Sequence, residues 1–247
     1  MFSKTHTKYI HSLHHKKFRD QYGVFIAEGP KVVLDLLESG KFICRELFAL
    51  DKWLNEHKAF IETYASIAIT PVQDFELEKI SALSTPNNVL AVFEKQKENA
   101  IGNIKGKITL VLDSIQDPGN MGTVIRIADW FGIDNIICSP ACADQYSPKV
   151  VQSTMGSLGR VNILYTDLVG WLRKNNSIAI YAASLEGKPV QQLKKINEGV
   201  IVIGNESKGI SEDVLQLVNE KITIPKTGKA ESLNAAVAAG ILLSHVC

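Results

Sequence analysis

From Ile108 to the C-terminus, short apolar runs alternate with helix-like stretches, and this alternation restricts the fold more than any other feature. The apolar runs fall at residues 108–112, 135–138, 162–165, 178–182, 200–203 and 221–224. Helix-like segments lie at 123–131, 149–158, 167–174, 212–218 and 233–246. Strands that alternate with helices predict an α/β domain with a parallel sheet covered on both faces. In such sheets ligands bind beyond the carboxyl ends of strands. The loops that follow strands are therefore where function is expected.

Three of those loops carry polar groups amid glycines. The first runs from Asp113 through Asp117-Pro118-Gly119-Asn120-Met121-Gly122 into a helix that holds Arg126. Pro118 and Gly119 force a turn and Asn120 is a candidate helix cap. Arg126 sits among Ile125, Ile127 and Ala128, where a guanidinium needs a partner or an open cleft. Two readings stand: a structural pair with Asp113 or Asp117, or a phosphate-facing arginine. The second loop, Gly204-Asn205-Glu206-Ser207-Lys208-Gly209-Ile210-Ser211, permits close backbone approach and offers Glu206 as an acceptor, with Ser211 as a cap. The third runs from Ile224-Pro225 to Ser232-Leu233-Asn234 and opens a helix rich in alanine. Each loop alone is compatible with an ordinary β–α turn.

Residues 1–97 form a separate region, read as a small α/β unit: a basic helix, a strand over 23–29, helices over 32–37 and 52–63, and strands at 47–50 and 89–93. Residues 98–107, polar and rich in lysine, asparagine and glycine, are read as a linker to the domain at 108–247. Lys4, Lys8, Lys16, Lys17 and Arg19 crowd the start of the chain with His6, His11, His14 and His15. Such a cluster either neutralises phosphates or forms a solvated helix face. The net charge of +1 does not by itself announce a nucleic-acid binder. No apolar run reaches the ~20 residues that span a bilayer, and the N-terminus lacks the apolar core of a signal peptide. Cys44, Cys138, Cys142 and Cys247 lack metal-ligand spacing, so no metal is expected and free thiols in the cytoplasm are.

Taken together, the three loops resemble the signature motifs of the SpoU family of RNA 2′-O-ribose methyltransferases, within the SPOUT class. Asp117-Pro118-Gly119-Asn120-Met121-Gly122 with Arg126 is similar to the first motif, Gly204-Asn205-Glu206-Ser207-Lys208-Gly209 to the second, and Ile224-Pro225 with Ser232-Leu233-Asn234 to the third. The stretch 147–158, with Met155-Gly156, also resembles the family. Phe25-Ile26-Ala27-Glu28-Gly29 is similar to the substrate-binding domain that often precedes the catalytic one. Lys226 stands where many relatives have Met, and Ala235 where Val is common.

The resemblance implies an α/β SPOUT domain whose C-terminal segment passes through a trefoil knot, and a homodimer whose active site is completed by the neighbouring subunit. It implies S-adenosyl-L-methionine as methyl donor, held by backbone around Gly204, Ile224 and Leu233. The substrate would be the ribose 2′-hydroxyl of RNA, ribosomal RNA before transfer RNA. Arg126 is the implied catalytic residue; Asn120 would orient ribose or phosphate, Glu206 fix loop geometry, and Ser232 with Asn234 position Arg126 and the RNA. A non-catalytic RNA binder of the same fold is the alternative. A dinucleotide-dependent oxidoreductase fits poorly, because Gly119 and Gly122 supply only G-x-x-G after the first strand of the domain.

Overall fold

The structure is a computed structural model that describes residues 3–64, 66–96, 101 and 104–247. The chain divides into two compact units, Met1–Lys97 with Tyr146–Gly159 and Glu98–Gln145 with Arg160–Cys247. Of the stretch read as a linker, residues 98–100, 102 and 103 lie outside those described.

The first unit opens with two helices, α1 (Lys4–Ser12) and α2 (Lys16–Tyr22). Ser3 Oγ accepts the His6 amide at 3.1 Å and caps α1, while Gly23 at φ 66° ends α2 in the left-handed conformation. There follow β1 (Val24–Glu28), α3 (Pro30–Glu38), β2 (Cys44–Ala49), α4 (Asp51–Glu56), α5 (Lys58–Ile61), β3 (Ala68–Pro71), α6 (Asp74–Ile80) and β4 (Val89–Glu94). The sheet order is β1-β4-β2-β3, antiparallel except for the β2–β3 pair. Alternation along β1 sends Val24 and Ile26 into one core with Ile10, Leu13, Leu77 and Ile80. Phe25 points the other way, against Phe93, Phe42 and Tyr146. The single helix expected over 52–63 is two helices. It breaks at His57, whose ring and backbone amide share the Trp53 carbonyl. β3 and α6 were not expected; β3 is an edge strand with an exposed face, so it lacks a clear apolar run.

The second unit comprises β5 (Ile108–Asp113), α7 (Pro118–Trp130), β6 (Asn135–Cys138), β7 (Asn162–Tyr165), α9 (Leu168–Lys174), β8 (Ile180–Pro189), β9 (Gly199–Gly204), α10 (Glu212–Leu215), β10 (Glu220–Thr223) and α11 (Ala235–Val246). The intervening α8 (Pro148–Thr154) lies between β6 and β7 in sequence, yet packs within the first unit against β1. It stops earlier than the helix expected over 149–158, because Met155 at φ 51° and Gly156 at φ 94° turn the chain left-handed. A side chain at 156 would sit 2.5 Å from the Asp35 carboxylate.

All six strands of the second sheet are parallel, in the order β10-β8-β9-β5-β6-β7. Each neighbouring pair therefore needs a crossover, and helices cover both faces. Val111, Val200 and Val202 bury one face with Leu168, Leu172 and Val214. α11 packs against α7, so that a Cβ at Gly240 would lie 3.6 Å from Ile127 Cδ1. Leu242 and Leu243 are buried along α11, each contributing about 1.5–3 kcal/mol relative to exposure. From β5 the chain moves outward to β6 and β7, then returns to the opposite side through β8 and β9. The strand order thus reverses between β5 and β9, and a crevice opens at their carboxyl ends.

Candidate active site

That crevice collects the three loops singled out in the sequence. Asp113 ends β5 directly beside Gly204, which ends β9. From Asp113 the chain turns through Ser114, held at φ 60°, and enters α7. The cap of α7 is Asp117, whose Oδ1 accepts the Asn120 amide at 2.8 Å; Pro118 occupies the first turn, where its missing N–H costs nothing. Asn120 therefore does not cap the helix and its side chain is released into the crevice. It meets Glu206, from the loop after β9, and Asn234, which caps α11 through bonds to Ala236 N at 3.0 Å and Val237 N at 3.2 Å.

These three side chains form a closed hydrogen-bonded triangle. Asn120 Nδ2 donates to Glu206 Oε1, and Asn234 Nδ2 donates to Asn120 Oδ1 at 2.8 Å and to Glu206 Oε1 at 3.2 Å. The Ala235 amide adds a further donor to Glu206 Oε1 at 3.3 Å. A single carboxylate oxygen thus ties the loops after β5, β9 and β10 together. Asp117, Ser232 and Leu233 line the same open hollow as Asn120, Glu206 and Asn234.

Beside it lies a cleft of about 620 Å³, within the 300–1,000 Å³ typical of small-molecule sites. Residues 203–210, 222–226 and 230–233 form its walls, and Ala235, Ala238 and Leu242 of α11 also line it. Gly204, Ile224 and Leu233 all face it, and Lys226 stands in its wall. Gly204 has no space for a side chain: a Cβ there would lie 2.4 Å from the Gly209 carbonyl carbon and 2.5 Å from Ile210 N. The loop folds back on its own start, where Asn205 and Gly209 exchange backbone bonds at 2.9 and 2.8 Å, and Gly209 takes φ 68°.

Arg126 lies elsewhere. It is exposed on α7, lines neither hollow, and among the described residues makes no hydrogen bond or ion pair. The structural pair with an aspartate, one of the two readings the sequence left open, is not formed. Asp113 turns instead to Ser211. Its Oδ2 accepts the Ser211 amide at 2.8 Å and hydroxyl at 2.7 Å, and its Oδ1 accepts the Ser114 hydroxyl at 3.0 Å.

Asp113 and Asn205 are positioning groups that sequence reasoning did not single out as such. Asn205 Nδ2 donates to Ser114 O at 2.8 Å, and its Oδ1 accepts the Ser207 and Lys208 amides at 2.9 and 3.1 Å. Behind Ser114, the turn after β6 closes the back of the site: Ser114 N donates to Ser139 Oγ at 2.9 Å. Cys142 in that turn is brought down to about 7 by a hydrogen bond with Cys138, against its own burial, whereas burial pushes Cys138 up. Burial also pushes the Tyr165 phenol up, so its Oη stays protonated and donates to Ala143 O at 2.6 Å.

A parallel α/β sheet with a ligand-sized cleft and a polar triangle at its carboxyl edge defines a small-molecule-dependent enzyme of the α/β class. The chain belongs to the SpoU rRNA methylase family, whose model matches residues 107–244, and residues 4–91 match the MRM3-like substrate binding domain. It is 29% identical over 237 residues to the 23S rRNA (guanosine(2553)-2′-O)-methyltransferase RlmP of Bacillus subtilis, covering 95% of this chain and 92% of that one. A putative RNA methyltransferase of the TrmH family from Porphyromonas gingivalis superposes with a TM-score of 0.85 at 33% identity, covering 99% of this chain and 98% of that one. The AdoMet-bound rRNA methyltransferase of Sinorhizobium meliloti superposes with a TM-score of 0.87 at 29% identity, covering 100% and 96%. The fold class expected from the sequence, a parallel-sheet α/β domain of the SPOUT class, is the one found.

Proposed function

We propose that this protein transfers a methyl group from S-adenosyl-L-methionine to a ribose 2′-hydroxyl of RNA, and of ribosomal rather than transfer RNA. The observation that carries the reading is the Asn120–Glu206–Asn234 triangle at the mouth of a cleft sized for a small molecule, in a chain of the SpoU family. The names of its rRNA-modifying relatives support the choice of RNA.

The cleft fits the methyl donor. Its wall near Gly204 is backbone packed too closely for a side chain, and Ile224 and Leu233 add apolar surface beside it. When bound there, the donor supplies an electrophilic methyl on a sulfonium. The residues of this chain do the rest. Glu206 holds the loops after β5, β9 and β10 in one arrangement and leaves Asn120 aimed at the crevice, where it orients the ribose or its phosphate. Ser232 and Asn234, at the entrance of α11, place the RNA. Arg126 stabilises the negative charge that develops on the ribose oxygen as its proton passes to water. A guanidinium holds its own proton with a pKa above about 12, so electrostatic stabilisation suits it better than general-base work. With Arg126 exposed and off the lining of its own crevice, the reading requires a second copy of the chain to complete the site.

A homodimer is therefore part of the proposal. Trp130, 84% exposed on α7, and Val237, 51% exposed on α11, offer apolar surface for it. Sedimentation at the mass of one chain would count against it. A trefoil knot in the C-terminal segment belongs to the same reading and would be traced in a crystal structure of the donor complex. Four free cysteines suit a reducing compartment such as the cytoplasm, which cell fractionation would check.

The decisive experiment pairs 2′-O-methyl mapping of rRNA and tRNA from a deletion strain with the Arg126→Ala variant. Arg126→Ala is expected to abolish methyl transfer while donor binding persists. Wild-type turnover in that variant would overturn the role given to Arg126, and a methyl mark lost only from tRNA would overturn the choice of substrate.

A further inference from the structure

We infer that the outer face of the α1–α2 pair is an RNA-binding surface that takes a single-stranded segment of the substrate, with backbone phosphates on Lys4, Lys8, Lys16 and Lys17 and a base against Tyr22. This rests on the RNA substrate proposed above and adds where the first unit would grip it.

Charge in this chain is strongly segregated. Residues 1–19 contain no aspartate or glutamate and hold Lys4, Lys8, Lys16, Lys17 and Arg19, a formal charge of +5 where the whole chain carries +1. The rest of the chain is net negative. Arg19 is spent on structure: it is 2% exposed, and its Nη1 donates to the Leu13 and His14 carbonyls at 2.9 and 2.8 Å, pinning the turn between α1 and α2. The four lysines are not spent. All are exposed, and among the described residues none has an ion-pair or hydrogen-bond partner. Lys4 and Lys8 stand one helical turn apart on α1, in line with exposed His11, and exposed Lys16 and Lys17 open α2.

The carboxylates that could neutralise this face are engaged elsewhere or stand apart from it. Asp20 binds Lys95 at 2.6 Å and Glu46 binds His6 at 2.6 Å. Among the described residues, Asp74 and Glu78 on α6, which packs against α1, form no ion pair with the stripe. A solvated helix face of no further use is commonly laced with intrahelical pairs of opposite sign, and α4 and α5 of this same unit show them at Lys52–Glu56 and Lys58–Glu62. Among the described residues Lys4, Lys8, Lys16 and Lys17 form no such pair.

Aromatic rings stand beside the lysines. Tyr22, 42% exposed, lies edge-on to Tyr9 at 5.1 Å and near-parallel to Phe18 at 6.5 Å, and Lys17 Nζ lies 5.9 Å from the Phe18 ring. Two buttressing rings hold the phenol in place, so little side-chain freedom remains to be lost when a base stacks on it. Fixed aromatics beside unpaired cations match the chemistry of single-stranded RNA, whose unstacked bases and backbone charges are both exposed.

The test measures binding of an rRNA fragment to the full chain across a salt series. It compares wild type with a Lys4→Gln/Lys8→Gln/Lys16→Gln/Lys17→Gln variant and with Tyr22→Ala. Neutralising the lysines is expected to weaken binding and flatten the dependence of log K on log salt by about 0.7 for each phosphate that is no longer neutralised. Tyr22→Ala is expected to weaken binding roughly 5- to 100-fold without changing the slope. Unchanged thermal midpoints and S-adenosyl-L-methionine affinity in both variants keep the comparison free of unfolding. A lysine variant that binds with wild-type affinity and slope overturns the proposal, and leaves the stripe to solvent or to an acidic protein. If the wild type binds RNA through these lysines yet methylates none, the enzymatic reading fails and this one stands.

Discussion

Replacing Asp113 by alanine tests whether the crevice is built from its buried floor upward. Asp113 is 5% exposed and does not line the cleft itself. It accepts three hydrogen bonds, from the Ser211 amide and hydroxyl and from the Ser114 hydroxyl. Bonds to a charged acceptor contribute about 1.5–3 kcal/mol each, but water can reach exposed Ser211 and recover part of that, so about 3 kcal/mol in total is a reasonable expectation. For a domain of this size that corresponds to a thermal midpoint lower by roughly 6–12 °C. The same loss frees the end of the Gly204–Ser211 loop. If the donor must re-order that loop on binding, up to the same ~3 kcal/mol is withdrawn from its affinity, roughly a 100-fold weakening. Asp113→Asn should recover much of both: the amide oxygen can still accept from Ser211, and the Ser114 hydroxyl can rotate to accept from the amide nitrogen. Calorimetric titration of S-adenosyl-L-methionine and a thermal melt read the two effects separately. If Asp113→Ala melts within about 2 °C of wild type and binds the donor equally well, Asp113 does not hold the loop and the reasoning is wrong.

Two further outcomes follow from geometry and burial. Gly204→Ala would drive a Cβ into backbone atoms of Gly209 and Ile210 at 2.4–2.5 Å, so donor binding should be lost with the circular dichroism of the sheet intact; Gly228→Ala, with nothing within 4 Å, is the matched control that should bind normally. In the first unit, burial pushes His14 below its ordinary 6.5, aided by His11, His15 and Arg19 and opposed by its bond to Ile80 O. The folded state then binds fewer protons than the unfolded state in the window below 6.5, so stability is lost as pH falls through it. The midpoint should drop from pH 7.5 to 5.5 in wild type and drop less in His14→Gln; equal drops would refute the assignment.

The second sheet was legible because its central strands β5, β6 and β9 are buried on both faces. Residues 135–138 and 162–165 are read from apolar content alone and coincide with β6 and β7. β8 is the exception. It was expected at 178–182 and runs from Ile180 to Pro189, because Gly187 lets the Lys221 carbonyl approach within 2.4 Å of where a Cβ would stand, and pairing with β10 resumes at Lys188 after a register shift. Nothing in the polar string Ser184-Leu185-Glu186-Gly187 announces a strand, since the pairing that makes it one comes from residues more than thirty positions later. β3 fails for a related reason: one exposed edge removes the apolar alternation by which strands are read.

The site was legible as three loops but not as one object. Turn chemistry placed Asn120, Glu206 and Asn234 near strand ends, and local spacing could go no further, because what joins them is the register of strands far apart in sequence. Asp113 opposite Gly204 is the case in point. On sequence alone Asp113 was as good a partner for Arg126, thirteen residues on, as for anything else. Parallel pairing of β5 with β9 puts Ser211, ninety-eight residues away, within 2.7 Å of its carboxylate, and among the described residues no aspartate pairs with Arg126. The same pairing builds the floor of the crevice, while Arg126 stands exposed on α7. Among the described residues Arg126 forms no ion pair, which leaves it available to the second copy that the proposed mechanism calls for.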